Sequence, residues 1–199
     1  MTFEEMYNAF DKIIRDVKSD RMGNTMIQIG ADALAMIRRR VTETGVDAEG
    51  KKFAPYSQTP MLVGCKSMNS NVCKSFFGKQ KNKEHKWVTL DRTNNQGKKI
   101  RLAVLEGGYK QLRGMHGRQT GHVDFMFSGR MWLDIKIISS NTQHNNGVVV
   151  LGASTDENKK VLAGNTERKG QILALNNEEV RLLTNIYKKK IKQFFREAV

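Results

Sequence analysis

The residues of this sequence best suited to bind a metal ion are Cys65, Cys73, His85 and His116. Thiolates and imidazoles are the usual ligands of a tetrahedral zinc site, where one turn presents two of them at C-x2-4-C or H-x3-5-H spacing. Neither pair has such a spacing, so we expect no metal ion and no other cofactor. Two cysteines are too few for a disulfide scaffold in a chain of 199 residues, so we expect both to be reduced thiols.

Residues for enzymatic catalysis are equally sparse. No serine stands in a strand-to-helix elbow, and the glycines from Gly107 to Gly121 have neither a Walker lysine-threonine pair nor a G-x-G-x-x-G pattern. A magnesium-dependent nuclease needs clustered carboxylates, whereas Glu84, Asp91, Glu106 and Asp124 are scattered in sequence. We expect no enzyme, and a nuclease whose carboxylates converge in space is the remaining enzymatic alternative.

The net charge of +14 is concentrated in the middle of the chain. Residues 1–50 carry −2, residues 51–130 carry +12 and residues 131–199 carry +4. A basic lobe at residues 66–101 supplies most of this excess. Its cations include Lys74, Lys79, Lys81, Lys83, Lys86, Arg92, Lys98, Lys99 and Arg101. Such a lobe either contacts phosphates or is a solvated face that keeps the protein soluble, and both interpretations remain open.

The hydropathy of the chain gives no sign of a membrane protein. The longest apolar runs, such as Val148 to Leu151, are far shorter than the roughly 18 residues that a spanning helix needs. The N-terminal residues include several acids and lack the pattern of a secretory signal, so we expect a cytoplasmic protein without membrane contact. The length and the hydrophobic fraction of 39% fit one domain over residues 1–199.

Two N-terminal helices are the first elements expected to position these residues. Thr2 and Glu5 form a capping box, and an apolar stripe with helical spacing then continues to about Asp20. Gly23 and Asn24 interrupt this pattern. The first helix is therefore predicted to end before them.

The second helix is predicted from about Thr25 to Thr44, because apolar residues recur there at three- and four-residue steps and Gly45 follows as a stop. The arginine triplet at 38–40 falls in its last turns. Cations there complement the negative end of the helix dipole, so we interpret the triplet as structural.

Strands are predicted after an irregular stretch. Residues 58–122 are interpreted as an insertion, within which Trp87–Leu90 and Ile100–Leu105 form a β-hairpin. The core sheet is predicted from Met131–Ile138 and Val148–Leu151, joined as antiparallel neighbours by the turn Asn145–Gly147.

A C-terminal helix completes the predicted fold. Asn176 and Glu179 repeat the capping-box spacing before an apolar stripe, and this helix is expected to pack on the sheet. The lysines at 188–192 are interpreted mainly as its solvated face, with a binding role as the alternative. The fold class is α+β, with two N-terminal helices, a small antiparallel sheet carrying the basic insertion, and the C-terminal helix.

The loop after the second helix carries a family pattern. Residues 38–57 resemble the segment of tailed-phage virion morphogenesis and tail-completion proteins that reads helix, G-x-D-x-x-G, aromatic residue, Ala-Pro. The match is carried by Gly45, Asp47, Gly50, Phe53, Pro55 and Ser57. Physically, the glycines permit turns with positive φ, Asp47 can close an Asx turn and Phe53 returns the chain to the core.

Three further segments resemble the same family in the same order. Ser128 and Gly129 stand where the family has a Thr-Gly strand start, and Gly152 ends a Val-x-Val-Gly strand. Leu175 lies in a segment similar to the Arg-Pro-Phe-Leu-Gly-Leu-Ser passage that leads into the last helix. These residues are structural positions of the family motif.

The resemblance implies a non-enzymatic structural protein of the virion, a head-tail connector, neck or tail-completion protein assembled in the host cytoplasm. It also implies a closed homo-oligomeric ring, six- or twelvefold, that contacts the portal or neighbouring connector and tail proteins. The basic lobe would then face an acidic surface of these proteins, which we prefer, or contact the passing genomic DNA without sequence specificity. The alternative is a free nucleic-acid-binding protein that uses the 66–101 lobe.

Overall fold

The computed structural model describes residues 4, 7, 8, 10–12, 15, 20–65, 68, 70–77, 87–93, 97, 99–126, 128–141 and 147–198. Helices and two antiparallel sheets make up the fold, so the predicted α+β class is confirmed. The chain divides into two compact units. Unit 1 comprises Met1–Phe53 and Asp124–Val199, and unit 2 comprises Ala54–Val123. The segment predicted as an insertion, 58–122, lies inside unit 2.

The first long helix of unit 1, α1, spans Asp20–Arg39 and continues into a π-helical turn at Arg40–Thr44. Gly45 ends it with a left-handed φ of 66°, which confirms the predicted stop. The predicted interruption at residues 23–24 is wrong, because both residues lie inside α1. A glycine within a helix costs only about 1 kcal/mol, which the packing of a 20-residue helix outweighs. The earlier predicted helix falls largely outside the described residues.

A two-stranded sheet forms the centre of unit 1. Strands β4, Ile135–Asn141, and β5, Val148–Ala153, pair antiparallel as predicted, with a bulge after Ile137. Helix α1 lies on one face of this sheet, where Val149 reaches the backbone at Gly30. Residues 145 and 146 of the predicted turn lie outside the described part of the chain.

Three more helices belong to unit 1. Helix α4, Arg130–Asp134, occupies the first half of the segment predicted as a strand from Met131, so that part of the prediction is wrong. Helix α5, Asp156–Lys169, was not predicted. Helix α6, Asn177–Ala198, matches the predicted C-terminal helix, but the prediction that it packs on the sheet is wrong, because it packs along α1, which itself lies on the sheet.

Unit 2 contains a three-stranded antiparallel sheet in the order β1-β3-β2. The predicted hairpin is confirmed by β2, Trp87–Thr93, and β3, Lys99–Leu105, whereas the partner strand β1, Met61–Gly64, was not predicted. Two helices complete the described part of this unit: α2, Ser70–Phe77, and α3, Gly108–Met115.

The two cysteines lie in unit 2. Cys65 directly follows β1, Cys73 lies in α2, and the two form a disulfide with their Cα atoms 5.2 Å apart. The expectation of two reduced thiols is therefore wrong. The number of cysteines in a sequence indicates whether several disulfides can form a scaffold. It does not indicate whether two cysteines in neighbouring elements form a single disulfide.

Each unit has its own apolar core. Among the described residues, the core of unit 1 includes Ile37, Val41, Phe53, Trp132, Ile135, Ile172 and Leu183. That of unit 2 includes Val63, Ala103, Leu105, Leu112 and Val123. Of the helices that the structure describes, none is long and apolar enough to cross a membrane.

Candidate functional site

The loop after α1 is held by short-range hydrogen bonds at the positions of the family motif. The amide of Phe53 donates to the carbonyl of Gly45 at 3.0 Å, which closes the loop. Within it, a carboxylate oxygen of Asp47 accepts from the amides of Glu49 and Lys51, both at 2.9 Å. The Asx turn expected at Asp47 is therefore present, and the buried carboxylate of Asp47 holds the exposed turn that follows it.

Gly50 and Phe53 have the geometry expected for their roles in this loop. Gly50 adopts a φ of 80°, a conformation that is costly for residues with a Cβ. Phe53 is buried, and its ring meets the ring of Phe125 edge-on with centroids 5.1 Å apart. The loop thus leaves α1 and returns the chain to the core of unit 1.

A buried ion pair ties this loop to the start of α6. Nε of Arg40 lies 2.9 Å from a carboxylate oxygen of Glu179, and both side chains are 8% exposed. The other guanidinium nitrogens donate to the carbonyl of Val46 at 2.9 Å and to that of Ala174 at 2.6 Å. Arg40 is thus a buried bridge between segments more than 130 residues apart, rather than a cation that complements the helix dipole.

Glu179 also serves the N-terminus of α6. Its second oxygen accepts from the amide of Asn176 at 2.8 Å, and the side chain of Asn176 accepts from the amide of Glu179 at 2.7 Å. The predicted capping box is therefore confirmed. The carboxylate of Glu179 thus both caps α6 and neutralises Arg40. Leu175 lies next to this junction.

The second group of motif residues lies just before α4 and within β5. Gly129 precedes α4 with a φ of 75°, and the hydroxyl of Ser128 accepts weakly from the amide of Arg130 at 3.4 Å. Gly152 lies in β5, where a Cβ would meet the side chain of Ile138 at 3.3 Å. These residues set the conformation of the backbone. Among the described residues, no catalytic or metal-binding group is assembled around them.

Asp134, at the end of α4, was not singled out in the sequence. Its carboxylate accepts from the amide of Ser154 at 3.0 Å and from the amide and hydroxyl of Thr155, both at 2.9 Å. The hydroxyl of Ser154 and then the amide of Thr155 hold the pKa of Asp134 well below its usual range. Asp134 therefore joins α4 to the first turn of α5, for which Thr155 is the N-cap.

Arg38 and Trp132 form a further contact between α1 and α4. A guanidinium nitrogen of Arg38 donates to the carbonyl of Trp132 at 2.5 Å, and its central carbon lies 5.8 Å from the centre of the indole ring. The indole nitrogen donates to the carbonyl of Asp124 at 3.0 Å. Two of the three arginines of the triplet therefore hold unit 1 together.

Two apolar surfaces of unit 1 remain accessible. The face of the β4–β5 sheet that α1 does not cover exposes Ile138, Val148 and Val150 by 46–54%. A groove of about 340 Å³ opens between α1 and α6. Its lining consists of Met26, Ile29, Gly147, Leu175, Val180, Leu183, Thr184 and Tyr187.

In unit 2, the two remaining motif residues stand beside α3. Pro55 is exposed, and the carbonyl of Ser57 accepts from the amide of Lys110 at 3.0 Å. Between them, the buried ring of Tyr56 lies 4.3 Å from the central guanidinium carbon of Arg113. The motif therefore crosses from unit 1 into unit 2, with different roles on the two sides.

The basic lobe is described only in part. The side chains of Lys74 and Lys99 are exposed, and the backbone of Arg101 belongs to β3. The other predicted partner-facing cations lie outside the described residues: Lys79, Lys81, Lys83, Lys86 and Lys98. Unit 2 as a whole has 13 Lys and Arg against 3 Asp and Glu, whereas unit 1 has 21 against 17.

The structure assembles no group with the geometry of a metal or catalytic centre from the residues it describes. Among them, no three His, Cys, Asp or Glu side chains are placed to hold a metal ion. No protein-family model, curated protein or solved structure matches this chain.

Proposed function

We propose that this protein is a structural virion protein of a tailed phage, one subunit of a homo-oligomeric ring at the head-tail junction. The ring joins the portal to neighbouring connector or tail proteins and lets the DNA pass. The resemblance of four segments to the tail-completion family supports this proposal. The Arg40–Glu179 pair adds support, because it joins the motif loop to the segment around Leu175.

The strongest structural support for the proposal is the exposed apolar face of the β4–β5 sheet. Three β-branched side chains, Ile138, Val148 and Val150, are about half exposed on the side opposite α1. Adjacent exposed apolar side chains mark protein interaction surfaces. The groove between α1 and α6 is a second, different apolar surface of the same unit. Two unlike surfaces suit a head-to-tail contact between copies, and such a contact closes into a ring when its rotation closes.

The test counts this chain in gradient-purified phage particles by quantitative mass spectrometry, relative to the portal protein. A fixed ratio of one-half or one is expected for a sixfold or twelvefold ring. The variant Val150→Asp should fold but be lost from particles, because a charge on the sheet face opposes its burial. The control Val161→Asp changes a residue of α5 that is 43% exposed, close to the 46% of Val150, and should be retained. Absence of the wild-type chain from particles would refute the proposal.

The composition of unit 2 favours a second candidate, a free nucleic-acid-binding protein that uses the 66–101 lobe. Thirteen Lys and Arg against three Asp and Glu in one unit are typical of a surface that contacts phosphates. Binding through this lobe predicts a linear fall of log affinity with log salt, with a slope of about −0.9 for each phosphate contacted on duplex DNA. A slope near zero would exclude this candidate.

A further inference from the structure

The solvent face of α6 carries a stripe of five cations in unit 1, well separated in sequence from the basic lobe. The residues of this α6 stripe are Arg181, Lys188, Lys189, Lys192 and Arg196, all with exposed side chains. They recur at steps of three, four and seven residues, which place them on one face of a helix. At a rise of about 1.5 Å per residue, the stripe is roughly 22 Å long.

The stability of α6 does not explain this arrangement. A helix dipole favours cations in the last turn only, and of the stripe only Arg196 lies there. Lys188 and Lys192, and Lys192 and Arg196, are like charges four residues apart, and such pairs destabilise a helix. The stripe therefore weakens the helix that carries it.

Two exposed cations elsewhere in unit 1 have a carboxylate partner on their own helix. Arg39 pairs with Glu43 at 3.1 Å, and Lys159 pairs with Asp156 at 2.9 Å. Among the described residues, no member of the α6 stripe has an ion-pair partner. The carboxylates of α6 are confined to its two ends, at 178–179 and 197. Among the described residues, the middle of the helix therefore has no acid to compensate its positive charge.

We propose that the α6 stripe binds the phosphate backbone of nucleic acid. A linear row of exposed cations suits a linear polyanion, and 22 Å corresponds to roughly six base-pair steps of duplex at 3.4 Å each. A membrane surface fits less well, because the stripe itself carries no apolar side chain and Leu183, on the opposite side of α6, is only 7% exposed. The stripe offers no side-chain pattern for reading bases, so the binding is independent of sequence.

The test measures fluorescence anisotropy of a labelled duplex of about 30 base pairs with the full chain, between 50 and 200 mM salt. The variant Arg181→Gln, Lys188→Gln, Lys189→Gln, Lys192→Gln should bind about tenfold or more weakly at 50 mM salt. Its log-log salt slope should be shallower by about 2 to 4 units, since up to four phosphate contacts are lost. The matched control Lys51→Gln, Lys52→Gln, Lys136→Gln, Lys160→Gln removes four exposed charges elsewhere in unit 1 and should bind nearly as wild type.

Thermal unfolding followed by circular dichroism separates binding from folding. The α6 variant should keep the melting temperature of the wild type, because glutamine matches lysine in helix propensity and repulsion is removed. If this variant melts earlier, the pair Lys188→Gln, Lys192→Gln is measured in its place. The proposal is overturned if the control loses as much affinity as the stripe variant or if the stripe variant binds as wild type. Binding of the wild type to anionic vesicles but not to DNA also overturns it.

Discussion

The two units bury an arginine in different ways. In unit 1, the guanidinium of Arg40 meets the carboxylate of Glu179 and two backbone carbonyls. In unit 2, Arg113 is 1% exposed, donates to the carbonyl of Gln119 at 3.1 Å and lies over the ring of Tyr56. Unit 1 is rich in acids and unit 2 has three. Both guanidinium groups donate to backbone carbonyls, to which the first adds an ion pair with a carboxylate and the second a contact with an aromatic ring.

The largest effect that tests this comparison is expected at the carboxylate of unit 1. Glu179→Gln keeps the shape of the side chain but leaves Arg40 as an uncompensated buried charge. Removing one partner of a buried ion pair destabilises by about 3–5 kcal/mol, so we expect a loss of about 3 kcal/mol in the free energy of unfolding. Urea denaturation followed by circular dichroism measures this loss.

The matched control breaks an exposed ion pair of the same unit. Glu43→Gln removes the partner of Arg39, whose side chain is 78% exposed, and should change stability by no more than about 1 kcal/mol. If Glu179→Gln costs no more than this control, the guanidinium of Arg40 is satisfied by its two carbonyls. The ion pair would then contribute little to the stability of unit 1.

A smaller effect on stability is expected when a helical glycine of each unit is replaced by alanine. A Cβ at Gly30, in α1, would lie 2.6 Å from Val149 Cγ1 and 3.2 Å from Ile137 Cδ1. At Gly114, in α3 of unit 2, a Cβ would meet nothing within 4 Å. We expect Gly30→Ala to destabilise by about 1–2 kcal/mol through overpacking and Gly114→Ala to stabilise by up to about 1 kcal/mol. Melting temperatures of the two variants should therefore shift in opposite directions, and a shared direction would contradict tight packing at Gly30.

The smallest effect is a pH dependence that arises in unit 1. Because the pKa of Asp134 is depressed in the folded state, its carboxylate stabilises the fold above the unfolded value of about 3.8, and this stability is lost as the pH falls toward the folded value. Asp134→Asn should lower the melting temperature at pH 7, and the difference from wild type should shrink below about pH 3.8. A difference that stays constant from pH 7 to pH 2 would rule out the charged form as its origin.

Local signals were enough to predict several elements of the fold. Asn176 and Glu179 marked the start of α6, Gly45 marked the end of the first long helix, and the apolar run from Val148 marked β5. In each case the residues that carry the signal also make the stabilising contact. The antiparallel pairing of β4 with β5 followed from their proximity in sequence.

Elements fixed by distant contacts could not be predicted in this way. Helix α5 has no buried residue and hence no apolar stripe, and its start depends on Asp134, 21 residues before Thr155. Met131 to Ile138 alternates like a strand, yet its first half is helical because Trp132 must reach Asp124 and Arg38. These features depend on three-dimensional packing, which periodicity does not report.

The role of Arg40 was hidden for the same reason. Its partner Glu179 lies 139 residues away, and in sequence the arginine triplet looked like a charge complement at a helix end. The sequence did contain one signal that Arg40 has a buried partner. Arg40 lies three residues after Ile37, on the apolar face of α1, and a cation buried there requires an acceptor.

The ring contact between Phe53 and Phe125 bears on how this chain could be shortened. These two residues flank the whole of unit 2, and their ring centroids are only 5.1 Å apart, so the chain leaves and re-enters unit 1 at nearly one point. Joining such neighbouring ends with a few glycines and serines costs little loop-closure entropy. A gene in which such a linker replaces Ala54–Val123 should therefore encode a shortened protein that keeps 129 residues of this chain, including the buried ion pair and the whole of α6.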